Sequence, residues 1–321
     1  MLLEVKNLKI RFVDDSHNNY TINGVNLEID KGQIVSLVGE SGSGKSLTSL
    51  AIMGLTPESG VIEGEINFNG VDLLNMTEKE MCTIRGKDIS IIFQEPMVAL
   101  NPLFNVENQI SEVIKKHTKY RKKEINAMVL DLLEKVKIDN PIDVLKKYPH
   151  ELSGGMRQRV MIAMAIALKP KLLIADEPTT ALDVTVQKEI LNLIKDISRE
   201  YSMSVIFITH DLDVVAEISD KVYVMYLGKV VEEANINNFF DNAKHPYSQG
   251  LLLSRAGNPL EHGKFFTIKG NVPTIKNLPS GCSFNNRCDF CFDKCKEEEP
   301  VLKEIVKSHK VSCFLNDGII K

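Results

Sequence analysis

The chain has 321 residues, a formal charge of −4, 43% hydrophobic and 26% charged residues, which is ordinary for a globular protein and fits two domains or one large domain with an appendage. No apolar run approaches the ~18 residues that cross a bilayer, and the start Met1-Leu2-Leu3-Glu4-Val5-Lys6 has neither the basic nor the apolar region of a secretory signal, so a membrane role is expected to come through a partner. Near-neutral charge disfavours a general nucleic-acid binder.

From the start, Leu8/Ile10/Phe12 and Val25/Leu27/Ile29 alternate apolar with polar residues and predict antiparallel strands around a polar loop at Asp14 to Asn19. Gln33 to Val38 is a short, largely apolar run that predicts a buried strand, and Leu47 to Leu55 predicts a helix. Between them stands Gly39-Glu40-Ser41-Gly42-Ser43-Gly44-Lys45-Ser46, which fits G-x-x-x-x-G-K-[ST]. In that pattern backbone N–H groups cradle phosphates, the lysine reaches the terminal phosphates and the hydroxyl ligates magnesium. A ligand-free Gly/Ser turn would need neither the Lys-Ser pair nor the strand-to-helix setting.

Val61 to Asn67 and Ile89 to Phe93 predict two further strands, the second running into Gln94-Glu95-Pro96. Helix-spaced apolar residues then predict a helical insert from about Asn101 to Tyr148, within a wider helical region at about 95–165. The basic run Lys115, Lys116, His117, Lys119, Arg121, Lys122, Lys123 reads as a solvated loop between its helices. Leu152 to Arg159 puts Ser153, Gly154 and Gly155 at the start of a helix over Val160 to Leu168, a second anion site. Lys171 to Glu177 predicts a buried strand ending in Asp176 and Glu177, and Ser204 to Thr209 one ending at His210-Asp211. Ligands gather at such strand ends. Lys221 to Met225 and Lys229 to Glu233, joined at Leu227-Gly228, predict a hairpin.

Asp176 suits the carboxylate that orders magnesium, and Glu177, projecting differently, suits the group that polarises the attacking water. Paired acids at a strand end can also cap the next helix, here at Pro178-Thr179-Thr180, but capping does not need both. Five of the 6 cysteines lie between Cys282 and Cys313, and without an export signal the cluster reads as metal-binding before it reads as disulfides.

With two anion sites, one lysine and two acids in this order, the chain resembles the ATP-binding subunits of ATP-binding cassette (ABC) transporters over roughly Leu3 to Glu233. The resemblance implies an α/β P-loop NTPase cassette with a RecA-like core, an antiparallel β subdomain and a helical subdomain, over residues 1–240, with a small Cys-rich extension at 241–321. By it, Gly39 to Ser46 with Leu47 form Walker A, Leu172 to Glu177 form Walker B with Glu177 as catalytic base, and Gln94 touches magnesium and the lytic water. Ser46, Gln94 and Asp176 would hold Mg2+. Ala181-Leu182-Asp183 matches the D-loop and His210 the γ-phosphate switch. Ser153, Gly154 and Gly155 belong to the signature motif that closes on a second chain's ATP. Phe12 falls where the family stacks adenine, with Tyr20 a weaker candidate and plain core packing an equal reading.

The tail narrows the resemblance. Lys244-His245-Pro246-Tyr247-Ser248-Gln249-Gly250 and the cysteine segment are similar to the close of importers for peptides, opines and nickel, most familiar from the D-type subunit of oligopeptide and dipeptide permeases. Cys282, Cys288, Cys295 and Cys313 match a four-thiolate [4Fe–4S] pattern, with Cys291 as alternative ligand and Zn2+ as the alternative metal. The implied partners are two membrane permeases, a second ATP-binding subunit and an extracellular peptide-binding protein, with no nucleic acid, and the implied place is the cytoplasmic face of the cell membrane. A soluble ABC ATPase of ribosomes or DNA is the rival reading. It would need a second cassette or a long coiled-coil insertion, and the sequence shows neither.

Overall fold

The computed structural model describes residues 1–13, 19–180, 182–255 and 266–318. In chain order it runs β1 (Leu3–Phe12), β2 (Ile22–Ile29), β3 (Ile34–Val38), α1 (Lys45–Ile52), β4 (Gly60–Phe68), β5 (Val71–Asp72), α2 (Glu78–Ile84) and β6 (Ile89–Ile92). Then come α3 (Pro96–Ala99), α4 (Val106–His117), α5 (Lys122–Lys135), α6 (Pro141–Val144), α7 (Gly154–Ile166), β7 (Leu172–Asp176), α8 (Val184–Tyr201) and β8 (Ser204–Ile208). The remainder is α9 (Leu212–Ile218), β9 (Lys221–Tyr226), β10 (Lys229–Asn235), α10 (Ile236–Asn242), α11 (Pro246–Leu253), α12 (Asp293–Glu297), β11 (Lys303–Val306) and β12 (His309–Val311). Among the described residues no helix is long and apolar enough to cross a membrane.

The chain divides into two compact units, one of residues 1–30, 34–75 and 208–321, the other of residues 31–33 and 76–207. In the first, β1 pairs antiparallel with β2 and with β4, as its alternation predicts. The polar loop expected at Asp14 to Asn19 falls mostly outside the described residues. A second sheet has the order β11-β12-β10-β9-β3. There β3 and β9 are parallel, and every residue of β3 is buried, which is why its sequence is continuously apolar apart from Ser36. The β9–β10 hairpin turns at Leu227 (φ 45°) and Gly228 (φ 75°), two left-handed residues that match the twist of the flanking strands.

The tail packs into this unit. Phe239, Ala243, Tyr247 and Phe284 share one buried cluster with Val38, Val222, Val224 and Tyr226. The strands β11 and β12, which alternation in the tail does not reveal, extend the sheet from β10.

In the second unit the order is β8-β7-β6, with β6 and β7 parallel. Helix α4 buries Val106, Ile110 and Ile114, spaced one turn apart, and is capped by Asn105, whose Oδ1 accepts from Asn108 N at 2.9 Å. The basic run is not simply a loop. Lys115, Lys116 and His117 form the last turn of α4, where they oppose the helix dipole, and Lys122 and Lys123 open α5. Likewise the helix expected over Val160 to Leu168 begins six residues earlier, at Gly154, because Ser153 caps it.

Candidate nucleotide site

In the first unit, β3 ends directly at the phosphate loop. An added Cβ at Gly39 would lie 2.2 Å from the Met225 carbonyl oxygen, so only glycine lets the loop leave the sheet there. Lys45 Nζ folds back over the loop and donates to the carbonyls of Gly39 (2.8 Å) and Glu40 (3.0 Å) and to Ser43 Oγ (3.3 Å). Ser41, Gly42 and Ser46 are exposed, Gly44 is the left-handed N-cap of α1, and Leu47 lies in the first turn of that helix. The amides of the first turn have no side-chain cap, the condition in which a helix start accepts an anion. His210 and Asp211 line a cleft of about 420 Å³ with Gly39 and Glu40, so the predicted switch histidine shares a cleft with the start of the loop.

In the second unit, β7 is fully buried through Asp176. The chain then turns sharply: Glu177 has φ 45°, a left-handed conformation that L residues adopt at a cost of ~1 kcal/mol or more. The turn aims its carboxylate at Gln94, whose Nε2 donates to Oε2 at 3.0 Å, and at Thr180, whose hydroxyl donates to the same oxygen at 2.9 Å. Gln94 and Glu177 are 83 residues apart in sequence, and the sequence assigned both to the lytic water without predicting this contact. Helix capping at Pro178 to Thr180 is not what occurs. Asp183 caps α8 instead, its Oδ1 accepting from Thr185 N (3.1 Å) and Val186 N (3.0 Å). Of the expected D-loop, Ala181 lies outside the described residues.

The signature segment is also in this unit. Ser153 Oγ accepts from Met156 N at 3.3 Å, and Ser153 and Gly154 are exposed. Behind them Arg157 Nε donates to Pro149 O (2.8 Å), and Arg159 donates to Val136 O (2.7 Å) and Glu189 (2.6 Å), which fix the helix from its inner side.

The adenine candidates divide. Phe12 is half-buried and packs against Gly60, whose added Cβ would lie 3.4 Å from the ring. Tyr20 donates to Glu63 at 3.1 Å, and Lys9 Nζ lies over its ring at 5.5 Å.

Among the described residues, no group of three or more His, Cys, Asp and Glu side chains is arranged to hold a metal ion, and all six cysteines are free thiols. The iron–sulfur or zinc centre expected from the sequence therefore has no support from metal-site geometry. Cys282, Cys288, Cys295 and Cys313 do line a single cavity, which Cys291 does not. Burial, and then the neighbouring thiols, push Cys282 up to about 11 and Cys313 up to about 12.

Comparison with known proteins accords with this geometry. Residues 22–180 match the ABC transporter family and residues 231–295 the C-terminal region of oligopeptide/dipeptide transporters. The chain is 49% identical over 316 residues to the oligopeptide transport ATP-binding protein AppD of Bacillus subtilis (strain 168), covering 98% of this chain and 96% of that one. It is 44% identical over 313 residues to the dipeptide transport ATP-binding protein DppD of Escherichia coli (strain K12), covering 97% and 96%. A dimeric ATP-binding cassette in a post-hydrolysis state, bound to ADP and Pi, superposes with a TM-score of 0.66 at 28% identity, covering 73% of this chain and 99% of that one. With relatives of 44 to 49% identity covering 97 to 98% of its length and a family match over residues 22–180, the chain belongs to the ATP-binding proteins of ABC transporters, in the group of oligopeptide and dipeptide transport ATP-binding proteins.

Proposed function

We propose that the chain hydrolyses ATP to drive uptake of oligopeptides or dipeptides, working as the energy-coupling subunit on the cytoplasmic face of a membrane permease. The match of residues 231–295 to the C-terminal region of peptide transporters carries the choice of cargo. In this reading residues 1–240 are the cassette and 241–321 the extension. Gly39 to Leu47 would take the phosphates, and Ser46, Asp176 and Gln94 are the residues that would hold Mg2+. When bound, the ion would offset charge on the β- and γ-phosphates.

Glu177 polarises the attacking water, and His210 answers to the γ-phosphate. The hydrogen bond from Gln94 supports a shared role with Glu177, since a glutamine that orients the glutamate also reports whether water and phosphate are in place. Ser153, Gly154, Gly155 and Asp183 serve the nucleotide of a second cassette, either a homologous subunit or another copy. That reading is supported by the exposure of Ser153 and Gly154 at a helix start. ATP thus makes contacts in the closed pair that it lacks in the open one, and hydrolysis removes them. Of the adenine candidates Phe12 is preferred, because the ring of Tyr20 already faces Lys9.

Docking on the permease falls to the segment after Gln94. Met97, Val98, Leu103 and Phe104 are 53%, 81%, 80% and 46% exposed, an apolar face of the kind that marks an interaction site. The buried Gln109 props this loop, donating to Asn101 O (3.1 Å) and Phe104 O (2.8 Å).

Cys282, Cys288, Cys295 and Cys313, which line one cavity, are the donor set for a proposed [4Fe–4S] cluster, and binding it would have to rearrange thiols that do not now form a metal site. Burial and mutual repulsion favour the protonated thiols, and a cationic iron core would reverse that preference. Its contribution would be a staple for a polar tail with little core of its own.

Reconstitution with the permease pair and a peptide-binding protein in proteoliposomes tests the cargo. Peptide should raise ATP turnover and accumulate inside. Uptake of nickel or an opine without peptide would overturn the choice, and co-sedimentation with ribosomes without permease binding would overturn the transport reading. Iron, zinc and acid-labile sulfide are measured on anaerobically purified protein. Four irons and four sulfides per chain are expected, whereas one zinc, or no metal, would overturn the cluster.

A further inference from the structure

Glu40, the second residue of the phosphate loop, is engaged at each of its polar groups. Its N–H donates to the Tyr247 hydroxyl at 2.8 Å, and its carbonyl accepts from Lys45 Nζ at 3.0 Å and from Ser43 N at 3.2 Å. Its carboxylate receives a two-point fork from Arg287, Nη1 to Oε2 at 2.6 Å and Nη2 to Oε1 at 3.0 Å, across 247 residues of sequence. Paired forks of this kind fix orientation as well as position.

Arg287 is the fixed member of the pair. Its side chain is 3% exposed against 30% for that of Glu40. Its Nε donates to Lys269 O at 2.9 Å, and its guanidinium lies 5.8 Å from the ring centres of both Tyr226 and Phe284. Tyr226, Tyr247 and Phe284 pack in tilted and edge-to-face pairs with ring centres 4.7 to 5.4 Å apart. A guanidinium this buried is costly without a partner, and the partner it has is the loop that holds the phosphates. Loop carbonyls and the Lys45 ammonium are linked through Glu40, so a shift of Glu40 moves the lysine that ATP must meet.

We propose that Arg287 is a positioning residue for ATP: by holding Glu40 it sets the geometry of the phosphate loop and makes the C-terminal region a working part of the nucleotide site. Arg287 does not line the cleft that His210 shares with Gly39 and Glu40, so it acts through Glu40 and not on the nucleotide itself. The proposal needs only ATP binding by this loop, and stands apart from the cargo and from whatever the thiols hold.

The test compares Arg287→Gln, Arg287→Lys, Glu40→Gln and the Glu40→Gln/Arg287→Gln double variant in the assembled transporter. ATP affinity and thermal unfolding are measured on the purified full chain. Loss of a charge-assisted fork is expected to raise KM for ATP about tenfold with kcat within about twofold. Arg287→Lys should fall between wild type and Arg287→Gln, and the double variant should be no worse than either single one. An Arg287→Gln protein that melts like wild type and keeps its KM would overturn the proposal, as would additive effects in the double variant or a fall in kcat alone. Should Arg287→Gln fail to fold, Glu40→Gln decides: a raised KM supports the brace and an unchanged KM overturns it.

Discussion

At the scale of single residues, Glu177 stands out for its backbone as much as for its charge. A left-handed glutamate directly after a buried strand is held by its neighbours, and Gln94 and Thr180 both donate to it. Glu177→Gln should keep ATP binding and lower turnover by roughly 10²- to 10⁴-fold, the range for losing a positioned base, leaving ATP-bound pairs that do not reopen. Single-turnover hydrolysis together with size-exclusion chromatography in ATP checks both halves, and undiminished turnover would remove Glu177 from its role. The acid pair was legible because a short apolar strand ending in carboxylates is a local pattern. The link from Gln94 to Glu177 was not, because it joins two strand ends 83 residues apart.

Among the elements, the β9–β10 hairpin governs the loop it touches. Gly228 N donates to Ser43 O at 2.9 Å, and an added Cβ on Gly228 would stand 2.0 Å from the Thr21 carbonyl oxygen at φ 75°. Gly228→Ala should therefore destabilise the protein by roughly 2 to 4 kcal/mol and weaken ATP binding at the same time. Chemical denaturation and nucleotide titration of the same sample measure the two, and a loss below about 0.5 kcal/mol would contradict the close approach. Element type was readable wherever periodicity ran long, as in β1, β2 and α4. A boundary shifted where a cap decided it: Ser153 draws α7 back to Gly154. Strands β11 and β12 are four and three residues long, too short for alternation to register.

For the whole molecule, the tail is bound to the unit it joins by a buried polar pair. Glu232 on β10 is 0% exposed and accepts from His309 Nε2 on β12 at 2.7 Å, from Lys244 N at 2.7 Å and from His245 N at 2.9 Å. Burial alone would push its carboxyl up, yet His309 and the two amides outweigh burial and hold it below the usual range. A carboxyl lower in the folded chain than in the unfolded one adds stability above the unfolded value of ~4.3, and that stability is lost as pH falls below it. Melting temperature should drop through this acid window, and Glu232→Gln should flatten the drop. His309→Ala should cost roughly 1.5 to 3 kcal/mol near neutral pH by removing one donor from a buried carboxylate that keeps its two amide partners. An acid limb unchanged in Glu232→Gln would contradict the assignment. Such long-range pairs, like Arg287 with Glu40, lie beyond sequence reading because nothing near either residue marks its partner.

In the proposed function the chain supplies half of a reaction chamber, with the other half on a second cassette. Turnover per chain is the direct measurement, made on protein shown by sedimentation to be strictly monomeric and again after pairing on the permease. The account predicts that the monomer binds ATP but turns over at a few per cent or less of the paired rate, roughly the cost of losing transition-state donors. Full-rate hydrolysis by the isolated monomer would contradict it.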